Sequence, residues 1–280
     1  MHIAALVPFL SIPLALTAPA IVRAAGPPIQ PPISTDKSTW PTTVGLLVFP
    51  GFQALDVFGP MDVLNSFNLI YRNYTQQNLA IISTTMEPVS TIVKRSAAMP
   101  MDHGIFGQSI VPTVTIKEVL AKQGKVSFPG PMGGPAVEHQ IEVLIVPGGG
   151  GTRVGLLEEI ELVKTLYPKL KYIISVCTGS TILARAGILD GRKATSNKRA
   201  WPWATSTGPK VNWVHKARWV EDGNIWTSSG VSAGIDVTFA WVSHVYGDDV
   251  AEYVSFGSEY TRWMDANNDP FAGIWNPELE

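Results

Sequence analysis

The stretch that decides the fold is "KYIISVCTGSTILARAGILDG", residues 171–191, in which an unbroken apolar run is followed by a helix-like run. Cys177, the only cysteine in the 280-residue chain, stands at the junction. If Val176 ends a central parallel strand and a helix begins near Thr178, Cys177 lies at the carboxyl edge of the sheet, where open α/β folds bind their ligands. The stretch therefore predicts a cysteine placed for chemistry at a strand-to-helix turn.

Three further apolar runs share this character: "VGLLVF" (44–49), "NLAIIST" (78–84) and "IEVLIVP" (141–147). None of them alternates with polar residues, which is typical of parallel strands that helices cover on both faces. Between the runs, "ALDVFGPMDVLNSFNLI" (54–70) and "TRVGLLEEIELVKTLYPKL" (152–170) carry apolar residues at helical spacing. The alternation predicts an α/β fold, a doubly wound and mostly parallel sheet sandwiched by helices.

Charge and composition narrow the class of partner. The chain has 21 basic and 23 acidic side chains, a formal charge of -2 and no run of like charges. Because nucleic-acid binders carry a basic patch, these values exclude an obvious nucleic-acid footprint and favour a small-molecule partner. A single cysteine cannot form an internal disulfide, so the hydrophobic core has to stabilise the fold without one.

The first 22 residues contain no Lys, Arg, Asp or Glu, and three prolines interrupt them. Prolines break a helix interior, which argues against a membrane-spanning helix and favours a signal peptide. We predict a signal peptide over residues 1–20, with cleavage as late as residue 25 left open. This signal peptide predicts that the protein is secreted or resides in the lumen of the secretory pathway. After cleavage the protein would not be attached to a membrane. A cytoplasmic location is the alternative, because the segment lacks the basic residues expected at its start.

The rest of the chain predicts a linker and one domain. Residues 26–43 are rich in Pro, Ser and Thr, which is typical of an extended linker. Residues 44–275 show no internal repeat and no second composition regime, so we predict a single domain. Within it, residues 121–139 are rich in Gly and Pro and predict an insertion loop at the surface.

The position of Cys177 predicts a reactive thiol. Backbone N–H groups and the positive end of a helix dipole stabilise a thiolate, so we expect this turn to lower the pKa of the Cys177 thiol. The amide of Thr178, directly after the cysteine, is a natural oxyanion donor. The alternative is a buried structural cysteine, which is common for this residue type.

Two other strand ends carry candidate site residues. "IVPGGGGT" places four glycines after a buried strand, and the backbone of Gly148, Gly149 and Gly150 is a candidate for substrate contacts. The run matches no phosphate-binding motif. Asp56, in "FPGFQALDVFGP", follows another strand and is a candidate to hold a proton for the thiol or to activate water. Its alternative role is that of an acid stabilised by the dipole at a helix N-terminus.

Four stretches together resemble the ThiJ/PfpI superfamily of class I glutamine amidotransferase-like proteins: "LLVFPGFQALDVFGP", "VLIVPGGGGTR", "SVCTGSTILARAGILDGRKAT" and "TSSGVSAGID". The resemblance covers residues 44–272 and is greatest to the isonitrile hydratase branch. It implies a flavodoxin-like α/β sandwich, usually a homodimer, in which Cys177 is held at a nucleophile elbow with a strained backbone. Asp56 would be its acidic partner.

The resemblance also implies roles for individual groups. The amides of Gly149 and Thr178 would be the oxyanion donors, and the Thr178 hydroxyl would bind the substrate or the catalytic water. Trp201 belongs to a stretch crowded with tryptophans, which would line a substrate pocket or a dimer interface; ordinary aromatic packing is the alternative.

One departure from the superfamily narrows the chemistry. Glutamine amidotransferases pair the cysteine with a histidine, but Asn197 stands where that histidine is expected, within "ATSNKRAW". A Cys-His dyad would then need His215 or His244, which no motif surrounds. The departure counts against amide hydrolysis and is compatible with chemistry that uses Asp56.

The resemblance implies a cysteine-dependent hydratase that needs no metal or organic cofactor. The Cys177 thiolate would add to an isocyanide carbon, and water held by Asp56 would release an N-substituted formamide. Two alternatives stay open: a glyoxalase- or deglycase-type cysteine enzyme of the same superfamily, and a non-catalytic thiol redox sensor or stress protein.

Overall fold

The computed structural model describes residues 26–33, 37–93, 104–130 and 133–279. The chain divides into two units, Met1–Gln30 and Pro31–Glu280, and the second contains the helices and strands of the described residues. The predicted signal peptide, residues 1–20, and its alternative end at residue 25 lie outside the described residues.

The central sheet confirms the predicted fold class. The strands are β1 (Thr43–Leu47), β2 (Asn78–Ser83), β3 (Val89–Ser90), β4 (Ser109–Ile110), β5 (Val114–Thr115), β6 (Lys125–Phe128), β7 (Val137–Gln140), β8 (Val143–Val146), β9 (Tyr172–Ser175), β10 (Lys193–Ala194), β11 (Asn212–Trp213), β12 (Trp219–Asp222) and β13 (Ile225–Ser228). Seven of them form one sheet in the order β12-β13-β9-β8-β1-β2-β5. Its strands are parallel except β12, which is antiparallel to β13.

Helices flank this sheet. They are α1 (Ala54–Ile70), α2 (Ile116–Ala121), α3 (Leu157–Leu166), α4 (Ser180–Arg185), α5 (Trp201–Ser206), α6 (Ala233–Tyr246), α7 (Asp248–Gly257) and α8 (Ala272–Trp275). α1, α6 and α7 pack against one another, while α3 packs against α2 and α4. Of the helices within the described residues, none combines the length and the apolar character needed to cross a membrane.

The four apolar runs of the sequence become β1, β2, β8 and β9. Every residue of β1 and β8 is buried, as expected for inner strands of a parallel sheet with helices on both faces. The strand order reverses between β1 and β8, because the chain adds β2 on one side of β1 and later β8 and β9 on the other. Ligands of doubly wound proteins bind at this kind of reversal, beyond the carboxyl ends of the strands.

Part of the predicted linker, residues 26–43, packs on the domain. Ile33 and Trp40 are buried, and the Trp40 ring lies 5.3 Å from that of Tyr246. The Tyr71 hydroxyl donates a hydrogen bond to the carbonyl of Pro31 at 3.2 Å. Ile33 and Trp40 of this segment therefore belong to the hydrophobic core.

The predicted insertion at residues 121–139 contains regular structure. β6 and β7 pair antiparallel in a two-stranded sheet of their own, apart from the central sheet. The exposed ion pair between Lys122 and Glu138, at 2.9 Å, joins its ends. The sequence pattern concealed this hairpin because Gly and Pro dominate the turn between its strands.

Candidate active site

Three neighbouring strands bring the candidate residues together. β9, β8 and β1 are adjacent and parallel, so their carboxyl ends meet at one edge of the sheet. Cys177 follows β9, the glycines 148–151 follow β8, and Asp56 lies in the first turn of α1, after β1. The structure thus brings together the three stretches that the sequence indicated separately.

Cys177 adopts a strained backbone conformation. Its φ angle is +58°, in the left-handed region that costs a non-glycine residue on the order of 1–3 kcal/mol. Its amide donates to the carbonyl of Ser229 at 2.9 Å, and its own carbonyl accepts from the hydroxyls of Ser180 and Ser196 at 3.2 and 3.1 Å. These three bonds hold the backbone of Cys177 in this conformation, which is consistent with the nucleophile elbow; the elbow itself stays a prediction.

The Asp56 carboxyl is buried beside this cysteine. It is 0% exposed, and its Oδ2 accepts the amide hydrogen of Gly148 at 2.9 Å. Its Oδ1 has no hydrogen-bond partner among the described residues. Burial raises the pKa of Asp56 from 3.8 to about 7, although the Gly148 amide and the Cys177 thiol both act to lower it. This carboxyl is therefore able to hold or release a proton near neutral pH.

The Cys177 sulfur lies among three donors. The amides of Val231 and Thr178 and the side chain of Asn197 hydrogen-bond to it and act to lower the pKa of the thiol. Burial, and next the charge of Asp56, raise the pKa further than these donors lower it. The expectation of a lowered thiol pKa was therefore wrong, because it took account of the helix terminus but not of desolvation and a neighbouring carboxylate.

Asp56 and Cys177 consequently titrate as a pair. The charge of Asp56 raises the pKa of the Cys177 thiol, so ionisation of one group disfavours ionisation of the other. When Asp56 is protonated, its repulsion of the thiolate is removed; burial still raises the pKa of the thiol, and the three donors still lower it. The arrangement suits transfer of a proton between the sulfur's reaction partner and the carboxyl.

The glycine run lets three loops approach one another closely. A Cβ atom on Gly148 would lie 2.5 Å from the amide nitrogen of Thr178. Gly149 has a φ of +128°, and a Cβ there would collide with the carbonyl oxygen of Gly51. The Gly151 amide also donates to that same carbonyl, at 3.0 Å. At these positions the glycines are required by contacts between backbones of the protein itself.

The predicted oxyanion donors already have partners. The Gly149 amide donates to Oγ1 of Thr178 at 3.0 Å, and the Thr178 amide interacts with the Cys177 sulfur. The hydroxyl of Thr152, which the sequence analysis did not single out, lies 3.0 Å from the same Oγ1. A substrate would have to take over these hydrogen bonds, so the oxyanion role of the two amides stays a prediction. Gly150 is half-buried at the start of a short 3-10 helix, and its contact with substrate also stays a prediction.

Trp201 lies in an aromatic cluster at the start of α5. Its ring is 6.1 Å from that of Trp213 and 4.8 Å from that of His215, and the Lys198 ammonium lies 5.1 Å from it. These contacts agree with ordinary aromatic packing, the alternative considered for it. Its role in substrate binding stays a prediction.

Asn197 takes the place beside the thiol where relatives were expected to carry histidine. Its Oδ1 accepts the amide hydrogen of Ala200 at 2.9 Å, which orients its NH₂ group toward Cys177. His244 lies elsewhere, in α6, where it packs on Trp226 and pairs with Glu221 at 3.7 Å. The side chains that interact with the sulfur thus include a carboxyl and an amide.

Several residues of the site escaped the sequence analysis. Val231 has a φ of +36°, unusual for a β-branched residue, and its amide reaches the sulfur. Ser229 and Ser196 bond to the backbone of Cys177. Ser229 and Val231 lie in the quoted stretch "TSSGVSAGID", but nothing in this stretch indicates that it contacts the turn after β9. Among the described residues, no group of three or more His, Cys, Asp or Glu is placed to hold a metal ion.

Fold and site define a doubly wound α/β protein with a cysteine and a carboxyl at the carboxyl edge of its sheet. The chain belongs to the DJ-1/PfpI family, whose model matches residues 42–244. The resemblance drawn from the four sequence stretches is thereby confirmed.

Curated relatives include enzymes of two kinds. The chain is 28% identical over 221 residues to the isonitrile hydratase of Pseudomonas putida, and the alignment covers 78% of each chain. It is 36% identical over 105 residues to a deglycase of Pyrococcus abyssi, which covers 37% of this chain and 59% of that protein. The relatives therefore include a hydratase and a deglycase, and the hydratase aligns over much the longer part of the chain.

Solved structures agree on the fold. A ThiJ/PfpI family protein from Pseudomonas syringae superposes with a TM-score of 0.58 at 27% identity, covering 88% of this chain and 84% of the other. DJ-1beta of Drosophila melanogaster gives a TM-score of 0.56 at 17% identity, covering 79% and 99%, and shows likeness of fold alone.

Proposed function

We propose that the protein is an isonitrile hydratase-like enzyme that converts an organic isocyanide and water into an N-substituted formamide. The observation that carries the proposal is the pairing of the Cys177 thiol with the buried carboxyl of Asp56, whose pKa is raised to about 7. Hydration of an isocyanide needs a nucleophile and a proton delivered to the same carbon. The pair supplies both from one place.

The first step adds Cys177 to the substrate. The sulfur forms a bond to the terminal isocyanide carbon, and the proton of the Cys177 thiol passes to that carbon through the Asp56 carboxylate. The product is a thioimidate, R–N=CH–S–Cys, with Asp56 left as carboxylate. The donors from Val231, Thr178 and Asn197 stabilise the sulfur's negative charge before the bond forms.

The second step adds water to the thioimidate. Asp56 accepts a proton from the water as its oxygen bonds to the carbon, and then passes that proton to the substrate nitrogen. The C–S bond of the resulting adduct breaks, the sulfur leaves with the electron pair, and the hydroxyl proton returns to the Asp56–Cys177 pair. The formamide R–NH–CHO is released and the site regains its starting protonation. The Thr178 hydroxyl is the proposed hydrogen-bond partner of the water.

The comparison with the Pseudomonas putida hydratase supports this proposal, because the alignment covers more than three quarters of each chain. A deglycase activity is the second candidate, favoured by 36% identity over the shorter region. There, the sulfur would add to an aldehyde carbonyl. A redox sensor is less favoured, because burial raises the pKa of the Cys177 thiol and peroxide oxidises the thiolate.

The test is to incubate the purified protein with a simple alkyl or aryl isocyanide and to measure formamide by mass spectrometry. Cys177→Ser is expected to abolish product, and Asp56→Asn to lower kcat on the order of 10²- to 10⁴-fold, as loss of a general acid-base does. Asp62→Asn makes the same change at an exposed position of the same helix and serves as the control.

The outcomes separate the candidates. Formamide produced by wild type and control but not by the Cys177 variant supports the hydratase. No formamide, together with turnover of a glycated amine or a glyoxal, would instead assign the second candidate.

Assembly and location are further proposals. We propose a homodimer, to be tested by light scattering of the purified protein. We also propose secretion, to be tested by determining the N-terminal residue of the protein recovered outside the cell. A monomer, or an intact N-terminus on protein retained in the cytoplasm, would contradict them.

A further inference from the structure

A buried ionic cluster is hydrogen-bonded to two of the segments that contact the cysteine. It consists of Lys198, Arg218, Asp236 and Asp269, whose side chains are all at most 6% exposed. Two positive and two negative charges balance within it. Buried charges of this kind are uncommon unless they are paired, and breaking such a set is costly, so its position next to the site calls for an explanation.

Lys198 holds the loop that carries Asn197. We call residues 195–200 the Asn197 loop. The Lys198 ammonium donates to the carbonyl of Ala217 at 2.8 Å and to the hydroxyl of Thr195 at 2.9 Å, and it lies 3.7 Å from Oδ2 of Asp269. The two residues before Lys198 in this loop both contact Cys177. Asn197 interacts with the Cys177 sulfur, and the Ser196 hydroxyl donates to the Cys177 carbonyl.

Arg218 holds the second loop. We call residues 229–232 the Val231 turn. The Arg218 carbonyl accepts the amide hydrogen of Ser229 at 2.9 Å, and its guanidinium donates to the Ser232 hydroxyl at 3.1 Å and to Asp236 at 2.7 Å. The turn between these bonds supplies the Val231 amide to the sulfur.

Asp269 joins the two anchors. Its Oδ1 lies 3.5 Å from Nη1 of Arg218, and its Oδ2 faces Lys198. Its own backbone is fixed, because the Asp269 amide donates to the carbonyl of Lys216 at 2.7 Å. One carboxylate thus spans the bases of both loops that present donors to Cys177.

Asp269 comes from a part of the chain outside the family match. It belongs to the C-terminal segment, residues 258–276, whereas the family model ends at residue 244. The segment is attached to the same place at two further points: the Arg218 amide donates to the carbonyl of Ala266 at 2.8 Å, and the Asn276 side chain donates to the carbonyl of Lys198 at 2.7 Å.

We propose that Asp269 is a positioning residue: the C-terminal segment uses it to hold the Asn197 loop and the Val231 turn so that both present their hydrogen-bond donors to the Cys177 sulfur. The inference rests on the proposed function only in taking Cys177 as the reacting group. Asp269 touches no reacting atom and acts through the two loops.

The test measures the thiol directly. Because Cys177 is the only cysteine, the rate of alkylation by iodoacetamide between pH 6 and pH 10 reports on this thiol alone. Asp269→Asn keeps the shape of the side chain and removes its charge. We expect alkylation at least tenfold slower at neutral pH, a pH profile displaced to higher pH, and a parallel fall in isocyanide turnover. Asp248→Asn, in the ion pair with Arg262 away from both loops, is the matched control and should stay within twofold of wild type.

The result that overturns the proposal is an Asp269→Asn protein that melts at lower temperature but alkylates within twofold of wild type over the whole pH range. If Asp269→Asn does not fold, the double variant Lys198→Met/Asp269→Leu replaces the charged pair with an apolar one, a change that proteins often tolerate. It should then show the same tenfold loss, and a wild-type alkylation profile in it overturns the proposal. Absence of isocyanide turnover in wild type would contradict the proposed function and leave the alkylation result decisive for Asp269.

Discussion

Asp56 and Asp236 are both buried carboxyls, 0% and 1% exposed, but their surroundings differ. Asp236 pairs with Arg218 at 2.7 Å and accepts hydrogen bonds from the Tyr260 hydroxyl at 2.8 Å and the Trp263 amide at 3.1 Å. Asp56 accepts one amide at 2.9 Å and faces a thiol that can itself become negative. The surroundings of Asp236 compensate a negative charge on its carboxylate, whereas those of Asp56 do not.

The difference separates charge used for structure from charge available for chemistry. A buried carboxylate beside an arginine stays ionised and holds its neighbours in place. A buried carboxyl without a cation has a raised pKa and exchanges its proton near neutral pH, which marks a candidate for catalysis. Lys198 lies between these cases: burial lowers its pKa to about 8, while Asp269 acts to raise it.

The largest expected effect comes from removing the cation that pairs with Asp236. Arg218→Met leaves Asp236 buried without its ion pair, and we expect a loss of about 3–5 kcal/mol in the free energy of unfolding. The melting temperature should fall on the order of 10 °C. Urea unfolding of the purified protein measures the free energy of unfolding, and thermal unfolding measures the melting temperature. A loss below about 1 kcal/mol would mean that this region is not held by its charges.

The next largest effect comes from the buried carboxyl of Asp56. Unlike the charges around Arg218, it is expected to lower the stability of the folded protein, and to do so in a way that depends on pH. The pKa of Asp56 is raised in the folded protein, from 3.8 to about 7. Between these values the unfolded chain releases the proton that the folded protein retains. Wild-type stability should therefore decrease as pH rises from about 4 to 7, by at most roughly 4 kcal/mol, and level off above that range.

Asp56→Asn removes this dependence. The variant should be more stable than wild type at pH 8, by on the order of 1–3 kcal/mol, while having lost activity. Urea unfolding at several pH values, with Asp62→Asn as the exposed control, tests this expectation. Equal slopes of stability against pH in wild type and Asp56→Asn would show that the folded protein does not raise the pKa of Asp56.

The smallest effect is expected where water screens the charges. Asp190 and Lys210 form an ion pair at 3.3 Å with side chains 43% and 77% exposed. Asp190→Asn should change the free energy of unfolding by less than about 1 kcal/mol. The same urea titrations measure this change. A loss as large as that of Arg218→Met would mean that burial does not explain why the Arg218–Asp236 pair contributes more to stability than the exposed pair.

Sequence patterns were most informative where the interaction is local. The four apolar runs predicted the inner strands, because a strand buried on both faces needs apolar side chains throughout. The turns after them predicted the positions of Cys177, Asp56 and the glycines, because the carboxyl ends of parallel strands share one edge. The hairpin within residues 121–139 was missed because Gly and Pro dominate the turn between its strands. The burial of Ile33 and Trp40 was missed because it depends on residues elsewhere in the chain, such as Tyr246, on which Trp40 packs.

What the sequence by itself determined is the fold class, the family and the placement of one thiol at a strand-to-helix turn, since each depends on residues close together in the chain. Only the tertiary structure decided the protonation of that thiol, the donors around it and the clustering of Lys198, Arg218, Asp236 and Asp269. The physical reason is that desolvation and charge compensation depend on which distant groups surround an atom in space, and a pKa reports that surrounding.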